Sequence, residues 1–300
     1  MATTTLITSR DPKGRHAVQL FEAAYNKSKL DDVRAQRLNE RGGELQDGIA
    51  KLIVKLTTSN QHADEEVRSG YAYPKEYRCR PIEEQIERIA KLFNLNPQHA
   101  YAFMRNLPLE LPDGAEGWFA IPSIDALGGR QFVWKVKNPK ERLCRATNAV
   151  LVKIGELREF YNHFNHLYVQ LTPDRFHLNE WTAHALDVLA EQQKGDVWIV
   201  GGQFGERYAG KFVSVVRQVM GGAEFGAHTV AAGSMLLTHP ERLVSYNDLW
   251  FDAPGDEFDP GGGGLFDNAS YFTFIKRVEF SMRFVNHSGG FCGSVSLFLP

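Results

Sequence analysis

The stretch Ser270-Tyr-Phe-Thr-Phe-Ile-Lys-Arg-Val-Glu-Phe-Ser-Met-Arg-Phe284 decides the fold class. Its apolar residues recur at alternate positions: Phe272 and Phe274, then Val278, Phe280, Met282 and Phe284. Successive side chains of a strand point to opposite sides, so this period predicts strands with one buried face. Ser294 to Leu299 predicts a last strand, and Asp196-Val-Trp-Ile-Val200 an earlier one. Glu224 to Thr238 reads as an apolar helix ended by His239-Pro240. Lys211 to Met220 fits helix or strand equally.

Upstream of Gly195 the spacing is helical. Ala17, Leu20, Phe21, Ala24 and Tyr25 share one helix face, and Ser28 is placed to cap a second helix carrying Leu30 and Val33. Leu45, Ile49, Leu52, Ile53 and Leu56 form another stripe. Pro81 starts a helix with Ile82, Ile86, Ile89, Ala90 and Phe93 on its apolar side. Residues 107–130, rich in proline and glycine, read as an ordered crossing because Trp118, Phe119 and Ile121 favour burial. Gln131 to Val136 is a candidate strand. Long helices are expected from Glu141 to His163 and from Pro173 to Gln193. The chain therefore reads as α+β: a helical N-terminal region over 1–105, a connecting segment with two long helices over 106–194, and a β-rich domain over 195–300.

A hydrophobic fraction of 43% and a charged fraction of 23% allow a sizeable core. A formal charge of −2 gives no electrostatic ground for nucleic-acid binding. The first residues show no basic segment followed by an apolar run, and no apolar stretch is long enough for a bilayer. The expected location is thus the cytoplasm, with no membrane span; surface display by another route stays open. Cys79, Cys144 and Cys292 are too few and too scattered for a disulfide framework or a Cys-rich metal site.

Gly201-Gly202-Gln-Phe-Gly205 follows a strand but lacks the dinucleotide-binding spacing, so it is expected to be a structural turn. Gly261 to Gly264 reads as a flexible loop. His163 and His166 could share a helix face, yet nothing nearby completes a zinc set. Asp252, Asp256, Glu257 and Asp259 form an acidic cluster. Such carboxylates could ligate Ca2+, act as an acid and base pair, or bond the amides of a turn. No nucleophile elbow is present.

Several segments resemble a bacterial family of target proteins of diversity-generating retroelements. They are Arg80-Pro-Ile-Glu-Glu-Gln-Ile86, Gly114-Ala-Glu-Gly-Trp-Phe-Ala-Ile-Pro122, Phe160-Tyr-Asn162, Gly195-Asp-Val-Trp-Ile-Val200, Gln203-Phe-Gly205 and Glu224-Phe-Gly226. Met235-Leu-Leu-Thr-His-Pro-Glu-Arg-Leu243, Gly255-Asp-Glu-Phe258 and Phe298-Leu-Pro300 complete the set. The resemblance covers residues 80–300. The chain departs from the family pattern at Glu206-Arg-Tyr-Ala-Gly210, at His228, at Ala253-Pro254 and at Leu297.

The resemblance implies a C-type-lectin-like (formylglycine-generating-enzyme-like) C-terminal domain. It would bind a macromolecular ligand through a diversified segment at about 266–292. The implied framework is Phe272, Phe274, Val278, Phe280, Gly293, Ser294, Ser296, Phe298 and Leu299. The implied variable, ligand-binding positions are Ser270, Tyr271, Thr273, Ile275, Ser281, Met282, Arg283, Val285, Asn286, Ser288, Gly289, Phe291 and Cys292. No cofactor and no catalytic residue is expected on this view. The alternatives are a cation-dependent enzyme built on Asp252 to Asp259, and a phage-derived assembly protein that forms homo-oligomers through its helical part.

Overall fold

The computed structural model describes residues 10–46, 48–49, 66–129, 136–165, 171–287 and 289–300. The expected positions Leu52, Ile53, Leu56, His166 and Ser288, and most of the candidate strand at 131–136, lie outside these. The chain divides into two compact units, Met1–Gln61 and His62–Pro300. The division falls at neither 105 nor 194, because helices after residue 80 pack on the same sheets as the C-terminal strands.

The first unit contains α1 (Pro12–Lys27) and α2 (Asp32–Glu40). Asp31, rather than Ser28, caps α2 by accepting the Arg34 N–H; Ser28 sits at the end of α1.

In the second unit α3 (Ile82–Phe93) and α4 (Gln98–Met104) precede β1 (Gly117–Pro122) and α5 (Ile124–Gly128). α6 spans Pro139–Leu157. It stops before His163 because Arg158 is extended and β2 (Phe160–Asn162) pairs in parallel with Val278–Phe280. β3 (Phe176–Leu178) takes the start of the expected second helix. α7 (Glu180–Gln192) begins only after Asn179, whose side chain accepts the Thr182 N–H. β4 (Val197–Gln203), α8 (Val213–Val219), β5 (Glu224–Gly226) and α9 (Thr229–Thr238) follow. The strands β6 (Trp250–Phe258), β7 (Asn268–Phe274), β8 (Val278–Phe284), β9 (Cys292–Ser294) and β10 (Ser296–Phe298) complete the chain.

One antiparallel sheet has the order β1-β4-β10-β5. The other runs β2-β8-β7-β6-β3, with β9 alongside β6. Every residue of α9 is buried, and it packs on α6, β1 and β6. It is apolar all round, as a helix enclosed in a core must be. Phe251, Phe272 and Phe280 stack below it on neighbouring strands with centroids 5.1 and 5.0 Å apart.

The acidic segment expected as a turn is the strand β6. Pro254-Gly255 interrupts its pairing, and the register shifts between Ala253 and Phe258. A Cβ at Gly255 would lie 2.5 Å from Gly226 O, so only glycine permits this approach. Gly205 has φ 118°, and a Cβ at Gly293 would lie 2.0 Å from the Gly205 carbonyl oxygen. Gly201 and Gly202, expected in a structural turn, are instead strand residues of β4 paired with β1 and β10, and only Gly205 turns the chain.

The long run Met235 to Leu243 is architectural. His239 Nε2 accepts the Arg80 N–H at 2.9 Å, which leaves Nδ1–H to donate to Met235 O at 3.1 Å. His239 is therefore the neutral Nδ1–H tautomer, and burial lowers its pKa to about 4. Arg242 is fully buried and donates to Leu249 O and Phe204 O at 2.8 and 2.9 Å. Its guanidinium lies 4.0 Å from the centroid of the Tyr73 ring.

Candidate functional site

The β7–β8 hairpin divides its side chains between two faces. Phe272, Val278 and Phe280 turn inward and are fully buried. Met282 lies on the same side and packs partly on the core. Ser270 also points inward, where its hydroxyl donates to Asp256. Ser270 is therefore a framework residue rather than a surface one.

On the other face the register sets Asp252 of β6 beside Tyr271, Tyr271 beside Ser281, and Ala269 beside Arg283. Arg283 donates to the fully buried Asp252 at 2.5 Å, and its guanidinium lies 5.1 Å from the Tyr271 ring centroid. Burial works against a charge on Arg283, but Asp252 outweighs it and holds the guanidinium charged. The Cys292 thiol is buried against the same pair, and burial pushes its pKa up. Arg283 and Cys292 thus belong to a buried polar cluster, not to a free surface. Thr273 is buried as well, opposite Glu279.

Among the described residues, the rest of the expected variable set keeps some solvent access. Ile275 lies at the hairpin end and is 50% exposed. Tyr271 and Ser281 are half-buried neighbours; Val285, Gly289 and Phe291 are half-buried, and Asn286 is exposed. Phe291 joins a row of aromatic rings, 4.5 Å from Trp250 and 6.3 Å from Tyr71. Tyr246, half exposed, extends the row 5.6 Å from Trp250. The strand pattern gave no sign of these last three, because they come from segments distant in sequence. Phe284, 59% exposed, is another accessible aromatic that period-two reasoning assigned to the core.

The four carboxylates of the acidic segment do not converge. Asp252 holds Arg283. Asp256 accepts the backbone N–H of Thr229 at 2.9 Å and the hydroxyls of Thr229 and Ser270. It thereby caps α9, and burial raises its pKa to about 6. Glu257 meets His177 and Arg217 at 3.4 and 3.5 Å. Asp259 accepts the amides of Gly261, Gly262, Gly264 and Leu265, which makes the glycine run an ordered nest around one carboxylate. Desolvation works against that carboxylate, but the four amides outweigh it and hold its pKa low. Among the described residues no group of three or more His, Cys, Asp or Glu is placed to hold a metal ion. His163 pairs with Glu279 at 2.9 Å.

No protein-family model, curated protein or solved structure matches this chain. Among the described residues no helix is long and apolar enough to cross a membrane.

Proposed function

We propose that the chain is a ligand-binding display protein whose C-terminal surface is diversified by a retroelement. In this reading the second unit is a C-type-lectin-like scaffold and its ligand is a macromolecule. One observation carries it: the hairpin fixes Phe272, Val278 and Phe280 in the core while Tyr271, Ile275, Ser281, Val285 and Asn286 keep solvent access. Such a partition lets outward residues change without disturbing the fold, and rigid support lowers the ordering cost of binding. Aromatic rings beside small polar groups give contact area and adaptable hydrogen bonds, as in antibody loops. The buried roles of Ser270, Arg283 and Cys292 narrow the variable set that the resemblance implies.

The test is genomic. The reading expects a near-copy of the codons for 266–292 beside a reverse-transcriptase gene, differing from the coding copy at adenines. A locus with neither feature removes its basis.

A further inference from the structure

A cavity of about 370 Å3 opens where α3 and the ends of α6 and α9 converge. Leu157, Leu236 and Val244 give it apolar walls, and two half-buried arginines line it. Arg88 donates its Nε–H to Leu237 O at 2.7 Å. Arg158 donates from its two terminal nitrogens to Pro240 O at 3.0 Å and Leu243 O at 2.7 Å. The Arg88 bond satisfies a carbonyl in the last turn of α9, where a cation is favoured, and Arg158 satisfies two carbonyls of the segment that follows the helix.

They do not balance the charge. Among the described residues neither arginine is paired with a carboxylate. Glu241, the acid that lines the cavity, is engaged by Arg80 at 2.8 Å. Glu84 and Glu87 line a neighbouring cleft with Arg80, Lys91 and Arg88 itself, but among the described residues neither forms an ion pair with Arg88. Burial lowers the pKa of Arg158, as it must for a cation drawn from water without a counter-ion. Two guanidinium groups, fixed by backbone bonds and without a directly paired carboxylate among the described residues, thus line a hollow whose walls are largely apolar.

We propose that this cavity binds a small carboxylic acid with an apolar body. Its carboxylate would meet Arg88 and Arg158, and its chain would lie against Leu157, Leu236 and Val244. Charge-assisted bonds between guanidinium and carboxylate supply specificity, and burial of the chain supplies the rest. The volume lies at the small end of ligand sites, which suits a medium-length acid rather than a long lipid.

The experiment titrates the full chain calorimetrically with sodium octanoate, 1-octanol and octylammonium chloride. Octanoate is expected to bind saturably at one site, at least about tenfold tighter than octanol, and octylammonium not at all. Arg88→Gln should weaken octanoate about tenfold and leave octanol unchanged. Leu157→Trp, at a position 51% exposed, should fill the cavity and abolish binding of both. Circular dichroism checks each variant's fold; if Arg88→Gln does not fold, Leu157→Trp decides. Absent or unsaturable octanoate binding, equal affinity for octanoate and octanol, or octanoate binding that survives Leu157→Trp would each overturn the proposal.

Discussion

His228 is fully buried just before α9, and among the described residues neither ring nitrogen has a hydrogen-bond partner. A buried polar atom left unpaired costs about 1–3 kcal/mol, so His228→Leu should stabilise the protein by roughly that amount at pH 7. The gain should grow in acid. Burial lowers the folded-state pKa from 6.5 to about 3. Between these values the unfolded chain binds a proton that the folded chain does not, so stability falls as pH drops below 6.5. At pH 5 the variant's advantage should therefore be about 2 kcal/mol larger than at pH 7. Urea unfolding of both proteins at the two pH values measures it; an equal difference at both would mean that His228 titrates freely. The residue breaks the apolar pattern of its segment in the sequence itself. Its burial was legible there, but its lack of partners was not. Arg283 teaches the opposite lesson. Its position between Met282 and Phe284 suggests exposure, yet it neutralises Asp252 across two strands. Arg283→Ala should cost about 3–5 kcal/mol because it strands a buried carboxylate. Adding Asp252→Asn should restore part of that loss in thermal melts. A single variant as stable as the parent would remove Arg283 from the framework.

At the scale of elements, β7 and β8 were legible because large apolar side chains recur at alternate positions, Phe272 and Phe274 in one and Val278, Phe280 and Met282 in the other. β6 was not, since Asp252, Asp256, Pro254 and Gly255 all disfavour strands. Each is satisfied only by tertiary partners: Arg283, the start of α9, and the close approach of Gly226. The short strands β2 and β3 were absorbed into expected helices for a similar reason. Their pairing with β8 and β6 is long-range, and three residues carry no period of their own. The hairpin's two faces make a direct comparison. Phe272→Ala should cost about 3–5 kcal/mol through the cavity it leaves among Phe251 and Phe280. Ile275→Ala should stay within about 0.5 kcal/mol. Chemical denaturation midpoints of the two variants check this; similar losses would mean that the hairpin end is packed too.

For the whole molecule, the buried Arg242 joins the aromatic segment at Tyr73, the end of β4 at Phe204 and the approach to β6 at Leu249. Arg242→Met should cost about 3 kcal/mol, because two carbonyls lose charge-assisted donors that methionine cannot replace. The run Met235 to Leu243, through Arg242, therefore ties these three segments together. On the proposed reading, the accessible side chains of the hairpin, with Val285, Asn286, Gly289 and Phe291, are the ones that vary. Sequencing the 3′ end of the gene across a clonal population tests this division most directly. The account predicts substitutions biased to adenine sites at codons 271, 275, 281, 285 and 286, with 270, 272, 280, 283 and 292 unchanged. A 3′ end invariant throughout, or changes spread evenly over inward and outward positions, would contradict it.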